Sequence, residues 1–102
     1  MLSNSSSPQP VVCLVEKEQI PQCKFPSKEV INDEAARKER LQTLFTGLTL
    51  GNGHRRKVKI IFEDSEGLKQ VETTIWAVTE KNVILKQGVC VPIHRVHKVN
   101  YY

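Results

Sequence analysis

The chain has 102 residues, a length that fits one small domain. No apolar run approaches the roughly 20 residues needed to cross a bilayer, and three cysteines without regular spacing, Cys13, Cys23 and Cys90, argue against a disulfide framework. The net charge of +4 is lopsided: up to Gly53 six acids balance six bases, whereas from His54 onward nine bases face five acids.

Met1–Pro10 is rich in Ser, Asn, Pro and Gln and has almost nothing to bury, which predicts a disordered tail. Its start lacks the basic and apolar regions of a signal peptide, so reduced thiols and a cytoplasmic location are expected. Residues 11–27 read as an extended segment. Val11–Val15 has the β-favouring composition of an edge strand, and Pro21 and Pro26 argue against regular structure across 20–27. A helix is predicted over 28–50, capped by Ser27 or Asn32, with Asp33 and Glu34 in a first turn where the macrodipole favours negative charge. Leu41, Leu44, Phe45 and Leu48 recur at helical spacing and predict the core-facing side, with Arg37, Lys38 and Arg40 opposite. Gly47 suits a C-cap and Gly51–Gly53 a turn.

From residue 54 to 102 the pattern is that of five short strands. Val58, Ile60 and Phe62 alternate onto one face. Asp64-Ser65-Glu66-Gly67 reads as a hairpin loop with solvated acids and Gly67 at a positive φ. Val71–Thr79 carries apolar residues on both faces, as a strand buried on both faces or one bent midway between two packing surfaces would, and Trp76 is expected in the core. Val83–Leu85 and Val89–Val91 follow, the second ended by Pro92, with Cys90 expected as a small core residue. Ile93 and Val96 are spaced as the apolar pair of a 3₁₀ turn before a last strand, His97–Tyr101. The expected fold is α+β: one N-terminal amphipathic helix, then a five-stranded antiparallel SH3-like or Sm-like barrel.

The stretch Asn82-Val83-Ile84-Leu85-Lys86-Gln87-Gly88-Val89-Cys90-Val91 resembles the second half of an Sm/Lsm core, with Gln87 inserted where that family carries a basic residue directly before glycine. The resemblance implies an RNA base held by Asn82 and Lys86. Ile20-Pro21-Gln22-Cys23 ahead of a helix and barrel is loosely similar to the Rho-binding antiterminators of the Rof group, which implies fold alone.

Two basic clusters carry the residue-level expectation of function. Arg55, Arg56, Lys57 and Lys59 lead into the first strand, and His94, Arg95, His97 and Lys98 lead into the last. If those strands pair, the cations become neighbours and can neutralise phosphates. Cys90, His94 and His97 are possible zinc ligands but lack finger spacing, so neither metal nor cofactor is expected. Without a paired-acid, phosphate-loop or nucleophile motif, an enzyme is not expected either. The expectation is a small RNA- or polyanion-binding module. Its alternative is a protein-interaction module that binds a partner or itself through a barrel edge or the helix face bearing Arg37 and Arg40.

Overall fold

The computed structural model describes residues 12–101; the expected tail over 1–10 lies outside them. In chain order the elements are β1 (Cys13–Val15), α1 (Glu34–His54), β2 (Val58–Asp64), β3 (Gly67–Thr73), β4 (Ile75–Val78), β5 (Asn82–Leu85), β6 (Cys90–Pro92) and β7 (Val96–Asn100). The strands form two sheets, one ordered β1-β3-β2-β7 and the other β4-β5-β6. The class is therefore α+β. The five expected strands are all present, with one of them divided between the sheets and a short parallel strand, β1, added at the edge of β3.

The division falls where the sequence puts apolar residues on both sides of one strand. β3 ends at Thr73, β4 starts at Ile75, and the N–H of Lys86 donates to the Thr74 carbonyl between them (3.0 Å). Two sheets that pack face to face at an angle allow a strand to pass from one to the other through such a bend. Alternation then fills the space between them. Val58, Ile60 and Phe62 of β2, Val71 of β3, Ile75 of β4, Val83 and Leu85 of β5, Val91 of β6 and Val96 of β7 are all buried. The first and last strands of the set lie side by side, β2 antiparallel to β7, with a register shift at Ile61/Phe62. Gly67 takes φ +141° at the hairpin, and a 3₁₀ turn at Ile93–Arg95 is closed by the Val96 N–H to the Ile93 carbonyl.

Three expectations are corrected. The segment ahead of the helix is not simply extended: Lys17–Gln22 forms 3₁₀ turns, with Pro21 inside, that bury Ile20. The signal was available, because Gln19 Oε1 accepts the Glu16 N–H (2.9 Å), a Glu-x-x-Gln variant of the reciprocal cap. The helix begins and ends later than its glycines suggest. Asp33, not Ser27 or Asn32, is the N-cap, its carboxylate accepting the Ala36 N–H, and the C-cap is Arg55 in the left-handed region (φ 52°).

Gly47 and Gly51 lie inside the helix because α1 runs so close to β4 that a side chain at Gly51 would strike the Ile75 carbonyl. The buried face is accordingly Arg40, Leu44, Gly47 and Gly51, while Leu41 (40 % exposed) and Phe45 (48 %) face outward. The third correction concerns the hairpin acids: the Asp64 side chain is buried. Its Oδ1 accepts the N–H groups of Glu66 and Gly67, and its Oδ2 pairs with Lys69. Burial works against the charged form of Asp64, but Lys69 and the Glu66 N–H outweigh it, and the pKa lies below the ordinary carboxylate value.

Candidate nucleic-acid interface

The first and last strands pair, but antiparallel, with Lys59 opposite Asn100 and Phe62 opposite Val96. The two basic clusters therefore lie at opposite ends of the pair, and their cations separate into three populations. His94, Arg95 and His97 are taken up by the fold. Arg95 is only 5 % exposed; its Nε donates to the Glu63 carbonyl (2.9 Å) and its Nη1 to the Lys28 carbonyl (2.7 Å). His94 Nε2 meets the Pro26 carbonyl (2.9 Å), and the Val30 N–H donates to the His94 carbonyl (3.0 Å). His97 Nε2 lies 2.9 Å from Glu63 Oε1. These three residues strap the segment 26–30 and the β2 edge to the start of β7, and Arg95 is unavailable to a phosphate. His94 and Arg95 reach carbonyls because a connecting segment pressed against a sheet must have its backbone acceptors satisfied, while His97 meets a carboxylate.

The second population stays at the surface. Arg55, Arg56, Lys57 and Lys86 are exposed, and among the described residues none of the four forms an ion pair or donates a side-chain hydrogen bond. Lys57, two residues before Lys59, lies with it and with Glu16 and Glu72 on the outer face of the four-stranded sheet, whereas the backbone brings Arg55, Arg56 and Lys86 toward one place. The last turns of α1 touch down on Thr74 and Ile75 at Gly51, and Arg55 follows one turn later, about 6 Å along the axis. Lys86 arrives at the same place from β5, tied by its N–H to Thr74. Gln87, left-handed at φ 67°, and Gly88, at φ 80°, let the chain reverse there.

Lys59 and Lys98 occupy a different surface, the outer face of the four-stranded sheet. Outward residues of β2 alternate with its buried ones; Lys98 stands opposite Ile61, and Lys59 stands between Glu72 and Asn100. Glu72 offsets part of the positive charge there, so this face is a weaker anion site than the helix end.

Compared with protein-family models, curated proteins and solved structures, the chain has no significant match.

Asn82 and Lys86 do not meet. Asn82 opens the four-residue strand β5 and Lys86 follows its end, so roughly 13 Å of extended chain separates them. Asn82 instead pairs in register with Pro92 and lines a cleft of about 530 Å³ with Glu29, Arg40, Glu80, Lys81 and His94. Two carboxylates and two cations share that cleft, and the mixture gives no net field to draw a phosphate.

Cys90 is exposed rather than buried, because Val89 and Val91 take the inward positions that parity leaves to it in the sequence. Among the described residues no three His, Cys, Asp or Glu side chains gather as a metal-binding group, and His94 and His97 are engaged elsewhere. No helix of the described chain is long and apolar enough to span a membrane.

Trp76 is a further residue that the sequence places wrongly. It is 49 % exposed, not core. Parity gives the reason: Val71, Thr73 and Ile75 all point inward, so Trp76 falls on the opposite face. The register shift between Ile75 and Ala77 leaves it as the extra residue of a bulge. A bulge of this kind re-aims the side chain it carries. Trp76 therefore stands on the solvent face of the three-stranded sheet, one residue beyond the point where α1 and Lys86 converge.

Proposed function

We propose that this protein is a small, non-enzymatic, cytoplasmic binding module for nucleic acid, RNA first among its candidates. In this reading its two sheets are the halves of a partly open SH3-like or Sm-like barrel. Supporting the barrel are the β2–β7 pairing, the strand bent at Thr74 and the 3₁₀ turn ahead of the last strand. One observation carries the function. Arg55, Arg56 and Lys86 are exposed cations without anionic partners among the described residues, where the end of α1 and the turn after β5 both meet Thr74, whereas Arg95 and Lys69 are taken up by carbonyl and carboxylate contacts. Exposed cations gathered at one place raise the local positive potential, and a phosphodiester chain supplies anions at a regular spacing to meet it.

The test is a binding titration of the full chain with a 12-nucleotide RNA at several salt concentrations. Affinity is expected to fall steeply with salt. Changing Arg55, Arg56 and Lys86 together to Gln is expected to weaken binding at least tenfold and to flatten the logarithmic salt slope by about two, since each phosphate contact to a single strand contributes roughly 0.7. Wild-type protein that fails to bind RNA at low salt would remove the proposal.

A second reading draws on Leu41 and Phe45, one turn apart and both outward on α1. Such a pair suits the helix face of a protein-interaction module, with a partner or a second copy covering it. Light scattering checks self-association: loss of an oligomer in Phe45→Ser would favour it over nucleic acid.

A further inference from the structure

We infer that the nucleic acid bound here is single-stranded, and that Trp76 is the platform on which one unpaired base stacks. This inference rests on the charge reading above and adds to it what the charges alone do not specify, since cations recognise phosphates in any strand form.

Three observations lead to it. First, Trp76 is the chain's one tryptophan and holds half its surface in water on a sheet face, where a large apolar ring would ordinarily be covered. Second, the bulge at Ile75/Ala77 fixes that exposure in the backbone: pairing Ile75 with Leu85 and Ala77 with Ile84 leaves Trp76 no place in the ladder, so the ring cannot return to the core without changing the register. Third, the fold brings cations to the two residues just before it, Thr74 and Ile75. Lys86 lies on the same outer face, since Leu85 before it is buried, and the end of α1 carrying Arg55 and Arg56 rests against the residues just before Trp76. An aromatic face beside a track of cations is what a single strand needs, because its bases are free to leave the stack while its phosphates follow the charges. Duplex bases are already stacked and offer the ring nothing.

The geometry also distinguishes two roles for the cations. His54, Arg55 and Arg56 lie at the negative end of the helix dipole, where positive charge steadies the helix. Lys86 has no such role, lying in a turn after β5, so its charge stays available to a ligand.

Because Trp76 is unique, its fluorescence reports directly on the proposed contact. The full chain is titrated at low salt with a single-stranded 12-nucleotide RNA, with the same sequence as a duplex, and with inorganic polyphosphate, which has charge but no bases. Saturable quenching by the single strand alone is expected, with affinity at least tenfold above that for the duplex. Trp76→Ala, followed by fluorescence anisotropy of a labelled RNA, is expected to weaken single-strand binding by roughly 5- to 150-fold, while Trp76→Phe keeps most of it. Thermal melts of both variants should stay close to wild type, the ring being half exposed.

If all three ligands bind alike, or Trp76→Ala binds the single strand as wild type does, stacking is wrong and the charge reading survives. Loss of a protein partner instead, with RNA binding untouched, also overturns it and assigns the ring to a protein contact. If none of the three ligands binds at low salt, the charge reading itself fails and this inference falls with it.

Discussion

Arg40→Leu is expected to destabilise the protein by about 2–4 kcal/mol, the largest loss among the substitutions considered. Arg40 projects from the buried face of α1 and is 6 % exposed. Its Nη1 and Nη2 each lie 2.7 Å from a carboxylate oxygen of Glu29, and Nη1 also donates to the Val96 carbonyl at 3.0 Å. One guanidinium thus joins the segment before the helix, the helix itself and the last strand. Leucine would keep much of the volume but leave the Glu29 carboxylate and the Val96 carbonyl without their donor, and a stranded half of a buried pair costs more than the intact pair contributes.

The pair also has a pH signature. Arg40 holds the Glu29 pKa down to about 2 from an ordinary value of 4.5. A depressed carboxylate stabilises the fold fully above the unfolded value and loses that contribution as pH falls through the folded one. Wild type should therefore weaken between about pH 4.5 and 2, and Arg40→Leu should show a flatter profile there. Urea denaturation at pH 7, 4.5 and 3 measures both effects. Glu29→Gln combined with Arg40→Leu should recover part of the loss at pH 7, by removing the orphaned charge. A loss below about 1 kcal/mol for Arg40→Leu would mean that the pair is effectively solvated.

How much of this was legible beforehand depended on whether a residue's neighbours in sequence decide its environment. Period-two alternation placed Val58, Ile60 and Phe62 inside, and the spacing of Ile93 and Val96 marked the 3₁₀ turn, because both patterns follow from backbone geometry alone. Apolar residues on both faces of Val71–Thr79 fit a doubly buried strand as well as a bent one, and the break between the sheets at Thr74 decides for the bend. The helix face was not legible. Leu41 and Phe45 look more buriable than Arg40 or Gly51, yet the tight approach of α1 to β4 selects glycines, and the carbonyl of Val96 with the carboxylate of Glu29 selects an arginine. Propensity scales rank residues by what they do alone, and here the partner strand decides.

The candidate site divides the same way. The cluster Arg55-Arg56-Lys57 is contiguous and was found by inspection. The approach of Arg55 and Arg56 to Lys86 and Trp76 depends on the touchdown of a helix that the sequence seemed to end earlier, at Gly47. Arg95 was misassigned for a related reason: nothing in its sequence neighbours tells that carbonyls of Lys28 and Glu63, 67 and 32 residues away, converge on it.

That touchdown yields the second large effect. Gly51→Ala is expected to cost about 1–3 kcal/mol, although alanine is the better helix former by roughly 1 kcal/mol. The added methyl would collide with the Ile75 carbonyl oxygen and sit 3.0 Å from Thr74 Cγ2, and a backbone carbonyl held in a sheet has little room to yield. Gly53→Ala, two residues along the same helix, supplies the contrast. Its new methyl meets nothing within 4 Å, so propensity decides and a gain of about 0.5–1 kcal/mol is expected.

The opposite signs separate close packing from helix propensity in a pair of thermal melts. They also bear on the interface. Pushed off Thr74, the end of α1 would carry Arg55 and Arg56 away from Lys86 and Trp76, whereas Gly53→Ala would leave the four together. RNA affinity should accordingly drop in Gly51→Ala, measured well below its melting temperature, and hold in Gly53→Ala. Equal stabilisation by both substitutions would mean that the helix does not seat on β4, and the convergence of cations at Thr74 would lose its structural cause.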